Sequence, residues 1–296
     1  VQQSVFEVEV PSDLGIRYKL LNTDKKPLIT SSGNKDIYHW ELKGQPAVNV
    51  EKHSGQSDSY LPLVLLAPNK FQHNKYNGDM TSWKNYGIWI NDLYAKVSGL
   101  PEDKKQFYRD MVKNAATDKE KAAILYNYLQ NNMRYVSIQL GIGGWRPFPA
   151  SFVDDKKYGD CKALSNYLKT TLDAVGIRSN LVIIYRDYNA RIVDEKFPMN
   201  DFNHAILCIP NKADTTWLEC TSTTLPFAML DETTLDRKAV MITNDGGVLV
   251  NTPASNYATN TTATHTVIEV DADAGAKLRS VYTLYGEERD KMLMRF

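Results

Sequence analysis

The chain has 296 residues, 43% of them hydrophobic, and its 35 Lys+Arg balance its 35 Asp+Glu to a formal net charge of zero. That length suits two or three domains and the apolar fraction is ordinary for a folded protein. The even charge argues against nucleic acid or an anionic membrane as the main partner. No apolar run reaches the roughly 20 residues that span a bilayer; the run at 61–67 is broken by Pro62 and ended by Pro68.

In chain order, residues 1–78 read as a β-rich N-terminal domain. Phe6, Val8 and Val10 alternate with Glu7 and Glu9, and 37–42 and 61–66 are further strands between Gly, Pro, Asn and Ser breaks. The pattern suggests a β-sandwich lacking its first strands. Residues 79–252 read as a mixed helix-and-strand core. Trp83, Tyr86, Gly87, Ile90 and Tyr94 recur at helical spacing, and Thr117-x-x-Glu120 is a capping box before Ala122, Leu125, Tyr126 and Leu129. A Gly/Pro loop follows at 141–150, then a helix carrying Leu164, Tyr167, Leu168, Leu172 and Val175, with Asp160 as its cap and Gly176 as its stop. Strands are expected near 179–186, 203–209 and 216–220, with a polar loop at 187–201 and a turn at 211–215. The loop reads equally as a cleft rim or as plain surface. From 253 to 296, Thr264, Thr266, Ile268 and Val270 alternate, a turn falls at 273–275, and 278–284 returns, as in the opening hairpin of a further β domain.

The most informative residue is Cys161, in Tyr158-Gly159-Asp160-Cys161-Lys162 at a helix start. Unpaired N–H groups and the helix dipole there favour a thiolate, the form that attacks a carbonyl carbon. Taken alone it reads more readily as a buried structural thiol. His204 lies near the start of one strand and Glu219 near the end of the next. If the two strands form a hairpin with these residues opposite, their Cβ atoms lie about 5 Å apart. A carboxylate so placed holds one imidazole nitrogen and leaves the other for a thiol, the logic of a cysteine triad. Taken singly, His204 reads as a hydrogen-bonded strand histidine and Glu219 as a surface carboxylate.

The order Cys, His, acid resembles the transglutaminase-like superfamily, whose core is shared with papain-like cysteine proteases, over residues 117–230. The segments Arg134-Tyr135-Val136-Ser137-Ile138, Gly143-Gly144-Trp145-Arg146-Pro147 and Tyr158-Gly159-Asp160-Cys161-Lys162 resemble its bacterial branch, Gly-Asp-Cys-Lys being the most specific part. The branch's Trp-x-Asp-Pro-Thr segment reads here Trp217-Leu218-Glu219-Cys220-Thr221, with Glu in place of Asp and Cys in place of Pro. The resemblance implies an α+β fold, with the helix-start cysteine packed on an antiparallel sheet and β-sandwich-type domains on either side. It implies the triad Cys161, His204, Glu219 and an oxyanion hole from the Cys161 backbone N–H and a second donor, Gln139 or Trp145. Structural roles are open for both: Gln139 as a strand polar residue, Trp145 as a lid over Pro147 and Pro149. The implied activity is hydrolysis of amide or peptide bonds through a thioester, in preference to amine transfer, on a protein, peptide or cell-wall peptide. The rival is a catalytically silent binding or scaffold module of the same fold.

Cys208 and Cys220 read as small core residues on opposite faces of the hairpin, which argues against a disulfide between them. A zinc site from Cys161, His204, Cys208 and Cys220 has no supporting CxxC or HxxxH spacing, so no metal or cofactor is expected. The sequence opens at Val1 inside a strand-like pattern with no signal peptide. The expectation is a processed chain, its localisation open, with export to the periplasm or the extracellular space as one reading.

Overall fold

The computed structural model describes residues 1–49, 51–52, 54, 57–189, 193–211 and 215–293. The N-terminal part holds β1 (Gln3–Pro11), β2 (Ile16–Leu21), β3 (Leu28–Ser32), β4 (Lys35–Lys43), β5 (Leu63–Pro68), β6 (Lys70–His73) and β7 (Tyr76–Asp79). They form a three-stranded sheet in the order β1-β4-β3 and two strand pairs, β2-β5 and β6-β7, all antiparallel. Phe6, Tyr18, Tyr38 and Trp40 stack between the first two of these sheets. The boundary expected at 78–79 falls inside β7, which packs on the next helix.

That helix is α1 (Trp83–Tyr94), followed by α2 (Glu102–Val112), α3 (Asp118–Asn132), β8 (Arg134–Tyr135), α4 (Ala150–Lys156), β9 (Tyr158–Gly159) and α5 (Cys161–Ala174). The capping box of α3 forms as its sequence requires, Thr117 and Glu120 each binding the other's backbone N–H. At the end of α5, Gly176 takes φ +81°, and Ile177 N–H and Gly176 N–H bond back to the carbonyls of Leu172 and Asp173. This glycine-centred cap stops the helix. Eleven of the 14 residues of α5 are buried, so it is a central helix with hardly any solvent stripe.

α5 rests on a five-stranded sheet in the order β12-β11-β10-β13-β14, antiparallel at every pairing. Its strands are β10 (Asn180–Ile184), β11 (His204–Ile209), β12 (Thr216–Leu218), β13 (Lys238–Thr243) and β14 (Gly246–Asn251). Leu181, Ile183, Ala205, Leu207, Leu218 and Cys220 face the helices; Val182, Ile184, Ile206, Cys208 and Trp217 face a smaller second cluster. Cys208 and Cys220 therefore sit on opposite faces. Of the turn expected at 211–215, residues 212–214 lie outside the described residues, as do 190–192 of the loop before β11. On the same face as α5, α1 lies against the β13-β14 turn so closely that a Cβ on Gly87 would stand 1.9 Å from the Gly247 nitrogen.

The C-terminal hairpin β15 (Thr262–Val270) and β16 (Ala276–Leu284) forms as expected, with a short helix, α6 (Glu287–Leu293), after it. Among the described residues no helix is long and apolar enough to cross a membrane.

Candidate active site

Three element ends meet at one place. Cys161 is the first residue of α5, His204 the first of β11, and Glu219 the residue just past β12. The two-residue parallel ladder β8-β9 adds a fourth piece. It ties Val136 N–H to the Gly159 carbonyl at 2.9 Å, so the 136–145 loop leaves beside the turn that leads into Cys161.

Asp160 caps α5 by accepting from the Ala163 N–H at 2.9 Å, and its other oxygen holds Lys162 Nζ at 2.5 Å. As the first helical residue, Cys161 has a backbone N–H with no partner inside the helix. It is 2% exposed, His204 7% and Glu219 0%, yet Cys161 and His204 both line a cleft of about 110 Å³ walled by Tyr86, Trp145, Asn200 and Phe202. A larger cavity of about 730 Å³ between β6-β7 and α1 has no cysteine or histidine in its lining.

His204 Nε2 bonds Glu219 Oε2 at 2.8 Å, and the Cys161 thiol shares the wall of the same cleft with the ring. The hairpin register differs from direct opposition. Leu207 faces Leu218 and Cys208 faces Trp217, and the pairing ends at Leu218, so Glu219 lies past the last pair and its side chain meets His204 beyond the end of the ladder.

The electrostatics follow from burial against charge. Burial alone would discharge His204, but the Glu219 charge and the hydrogen bonds to Cys161 and Glu219 overcome it, and the ring's pKa rises from 6.5 to about 9. For Glu219, burial pushes upward, while the His204 charge and hydrogen bond, the Arg186 charge and the Thr221 hydroxyl bring it down to about 2. The remaining cysteines are different. Burial raises Cys208 to about 12 and moves Cys220 upward as well.

Gln139 and Trp145 both line the cleft. Gln139 is exposed, whereas Trp145 is held edge-on against Trp89, ring centroids 5.1 Å apart, with His73 beyond. Trp89 and His73 are thus its aromatic packing partners. The loop at 187–201 does rim the cleft through Asn200, which accepts from Tyr86 Oη at 2.7 Å. It is pinned from outside by Arg17 on the Pro198 carbonyl and by the Lys19–Asp194 ion pair. Tyr86, Lys162, Arg186 and Asn203 surround the site without having been singled out in the sequence. Asn203 could have been flagged as the polar neighbour of His204. Arg186 could not, since its side-chain partners lie 35 to 47 positions away. Among the described residues no group of three or more His, Cys, Asp and Glu side chains could hold a metal.

A helix-start cysteine thus lines one cleft with an imidazole that is itself held by a buried carboxylate. Residues 105–223 match the family model of the Transglutaminase-like superfamily, and the chain carries a domain of that superfamily there. No curated protein sequence matches the chain. Among solved structures it is similar to a candidate protease from Parabacteroides distasonis, with TM-score 0.61 and 15% identity over 93% of this chain and 52% of that one. The chain thus spans about half the length of that structure. It is also similar to a candidate cysteine protease from Cytophaga hutchinsonii, with TM-score 0.36 and 9% identity over 96% of this chain and 83% of that one.

Proposed function

We propose that the protein is a cysteine-triad hydrolase of amide or peptide bonds, with Cys161 as nucleophile, His204 as general base and acid, and Glu219 as the orienting carboxylate. The observation that carries the reading is the His204 Nε2–Glu219 Oε2 hydrogen bond at 2.8 Å beside Cys161 on the wall of one cleft, which leaves Nδ1 for the thiol. In the charged pair the thiolate attacks the carbonyl carbon and the oxygen becomes an oxyanion. Its donors are the Cys161 backbone N–H and the Trp145 indole, favoured over Gln139 because packing immobilises it. Collapse breaks the C–N bond, His204 gives its proton to the leaving amine, and a thioester remains. Water, deprotonated by His204, then attacks the thioester, releasing the acid and restoring the thiol pair.

Hydrolysis is preferred to amine transfer, and the neighbouring protein's naming as a candidate protease agrees with this direction. The substrate class is a protein, peptide or cell-wall peptide, its scissile carbonyl entering between Tyr86, Trp145 and Phe202.

The test is thiol reactivity. Iodoacetamide near pH 6 should modify Cys161 well ahead of Cys208 and Cys220. His204→Ala should slow that reaction strongly and Glu219→Gln less so. Slow and equal labelling of all three thiols, unchanged by His204→Ala, would overturn the enzymatic reading and leave a binding module.

A further inference from the structure

The Glu219 side chain has three rotatable bonds. Something must choose which oxygen meets His204. Oε2 takes the imidazole. Oε1 accepts the Thr221 backbone N–H at 2.9 Å and the Thr221 hydroxyl at 2.6 Å. A threonine hydroxyl has a single proton and an arginine can only donate. Arg186 Nη1 donates to the Thr221 oxygen at 3.0 Å, so the hydroxyl proton is left to point at Glu219.

Arg186 is itself fixed by its fork. Nε donates to Thr233 Oγ1 at 3.1 Å and Nη2 to Asp231 Oδ2 at 3.2 Å, while Nη1 stands 4.0 Å from Glu219 Oε1. Asp231 is locked in turn by the Thr233 N–H at 2.9 Å. The same residue reaches the base by a second route. The Arg186 N–H donates to Asn203 Oδ1 at 2.7 Å, and Asn203 Nδ2 returns to the Arg186 carbonyl at 3.0 Å. Asn203 directly precedes His204. Arg186 therefore touches the supports of both the acid and the base, yet it is not among the residues that line the cleft.

We infer that Arg186 and Thr221 are positioning residues that clamp the Glu219 carboxylate with Oε2 toward His204, and that Cys161 reactivity depends on the clamp. The inference rests on the cysteine-triad reading above. The charged groups around this point are Arg186, Asp231, Glu219 and His204, with the Asp160–Lys162 pair beside Cys161. Lysine would keep the charge at 186 but cannot hold three acceptors in a planar fork.

The experiment follows the His204 ring by NMR across pH, its signal assigned by loss in His204→Gln, alongside iodoacetamide labelling of Cys161. Thr221→Val keeps shape and removes the hydroxyl; Thr221→Ser keeps the hydroxyl; Arg186→Lys keeps charge alone. The wild type and Thr221→Ser should share one titration midpoint. Thr221→Val and Arg186→Lys should each lower it by about one pH unit and slow Cys161 labelling about tenfold. If Thr221→Val does not fold, Arg186→Lys carries the test. Coinciding midpoints and labelling rates in all folded variants, with labelling still dependent on His204, would overturn the clamp and leave the triad standing. The same holds if the variants lose only melting temperature. Labelling in the wild type that ignores His204 would overturn both.

Discussion

Replacing Glu219 with glutamine keeps the side chain's size and an acceptor for His204, and removes one buried charge. In the intact protein the ring's pKa is about 9 against 6.5 when unperturbed. At about 1.4 kcal/mol per pH unit, that difference corresponds to roughly 3 kcal/mol of folding stability. Because the folded pKa is the higher one, this contribution is complete below pH 6.5 and is lost as pH rises through 9. Glu219, depressed to about 2, contributes the mirror image, present above its unfolded value of about 4.3 and lost on acidification through 2. The two shifts describe one ion pair and are not summed. Wild type and Glu219→Gln should therefore differ most in urea-unfolding free energy between about pH 4.5 and 6.5, by about 3 kcal/mol. The gap should shrink steadily toward pH 9 and be nearly closed at pH 10. All other titrating groups are common to both proteins and cancel. A difference that stays flat from pH 6 to 10 would refute the charged pair, and with it the reasoning that burial is outweighed at His204.

Three further outcomes follow from packing and reactivity. Gly87→Ala puts a methyl into the Gly246–Gly247 backbone, with contacts of 1.9 to 2.5 Å, and should cost about 3 kcal/mol in urea unfolding; a loss well under 1 kcal/mol would refute the close approach of α1 to the β13-β14 turn. Trp145→Phe should lower the rate of acylation by p-nitrophenyl acetate about a hundredfold, the usual effect of losing one oxyanion donor, while Gln139→Ala changes it little; the reverse pattern would move the donor to Gln139. With Cys208 and Cys220 raised by burial, Ellman's reagent at pH 8 should count one thiol in the native protein and three after denaturation, and a native count of three would contradict the sheet-face placement of the other two.

The elements whose signals are local were legible in the sequence. The Thr117–Glu120 box, the Asp160 cap and the Gly176 stop each act within a few residues, and each forms. The α2 helix escaped because its sequence is dominated by Glu102, Asp103, Lys104 and Lys105 and it buries only Tyr108 and Val112. The β13-β14 hairpin escaped although Asn244-Asp245-Gly246 is a turn signal between apolar runs. Cys161, His204 and Glu219 could be named because residue chemistry and order suffice for that. The place where the β11-β12 pairing ends could not, and the Arg186 fork depends on contacts spanning up to 47 positions.

The near-complete burial of α5 also bears on where motion is allowed. A helix packed on almost every side exchanges its amide hydrogens only when much of the core opens. The Cys161 sulfur is thus fastened to a helix that opens only with the core around it. Under the proposed function, any opening of the cleft is left to the loops that rim it and not to the helix that carries the nucleophile.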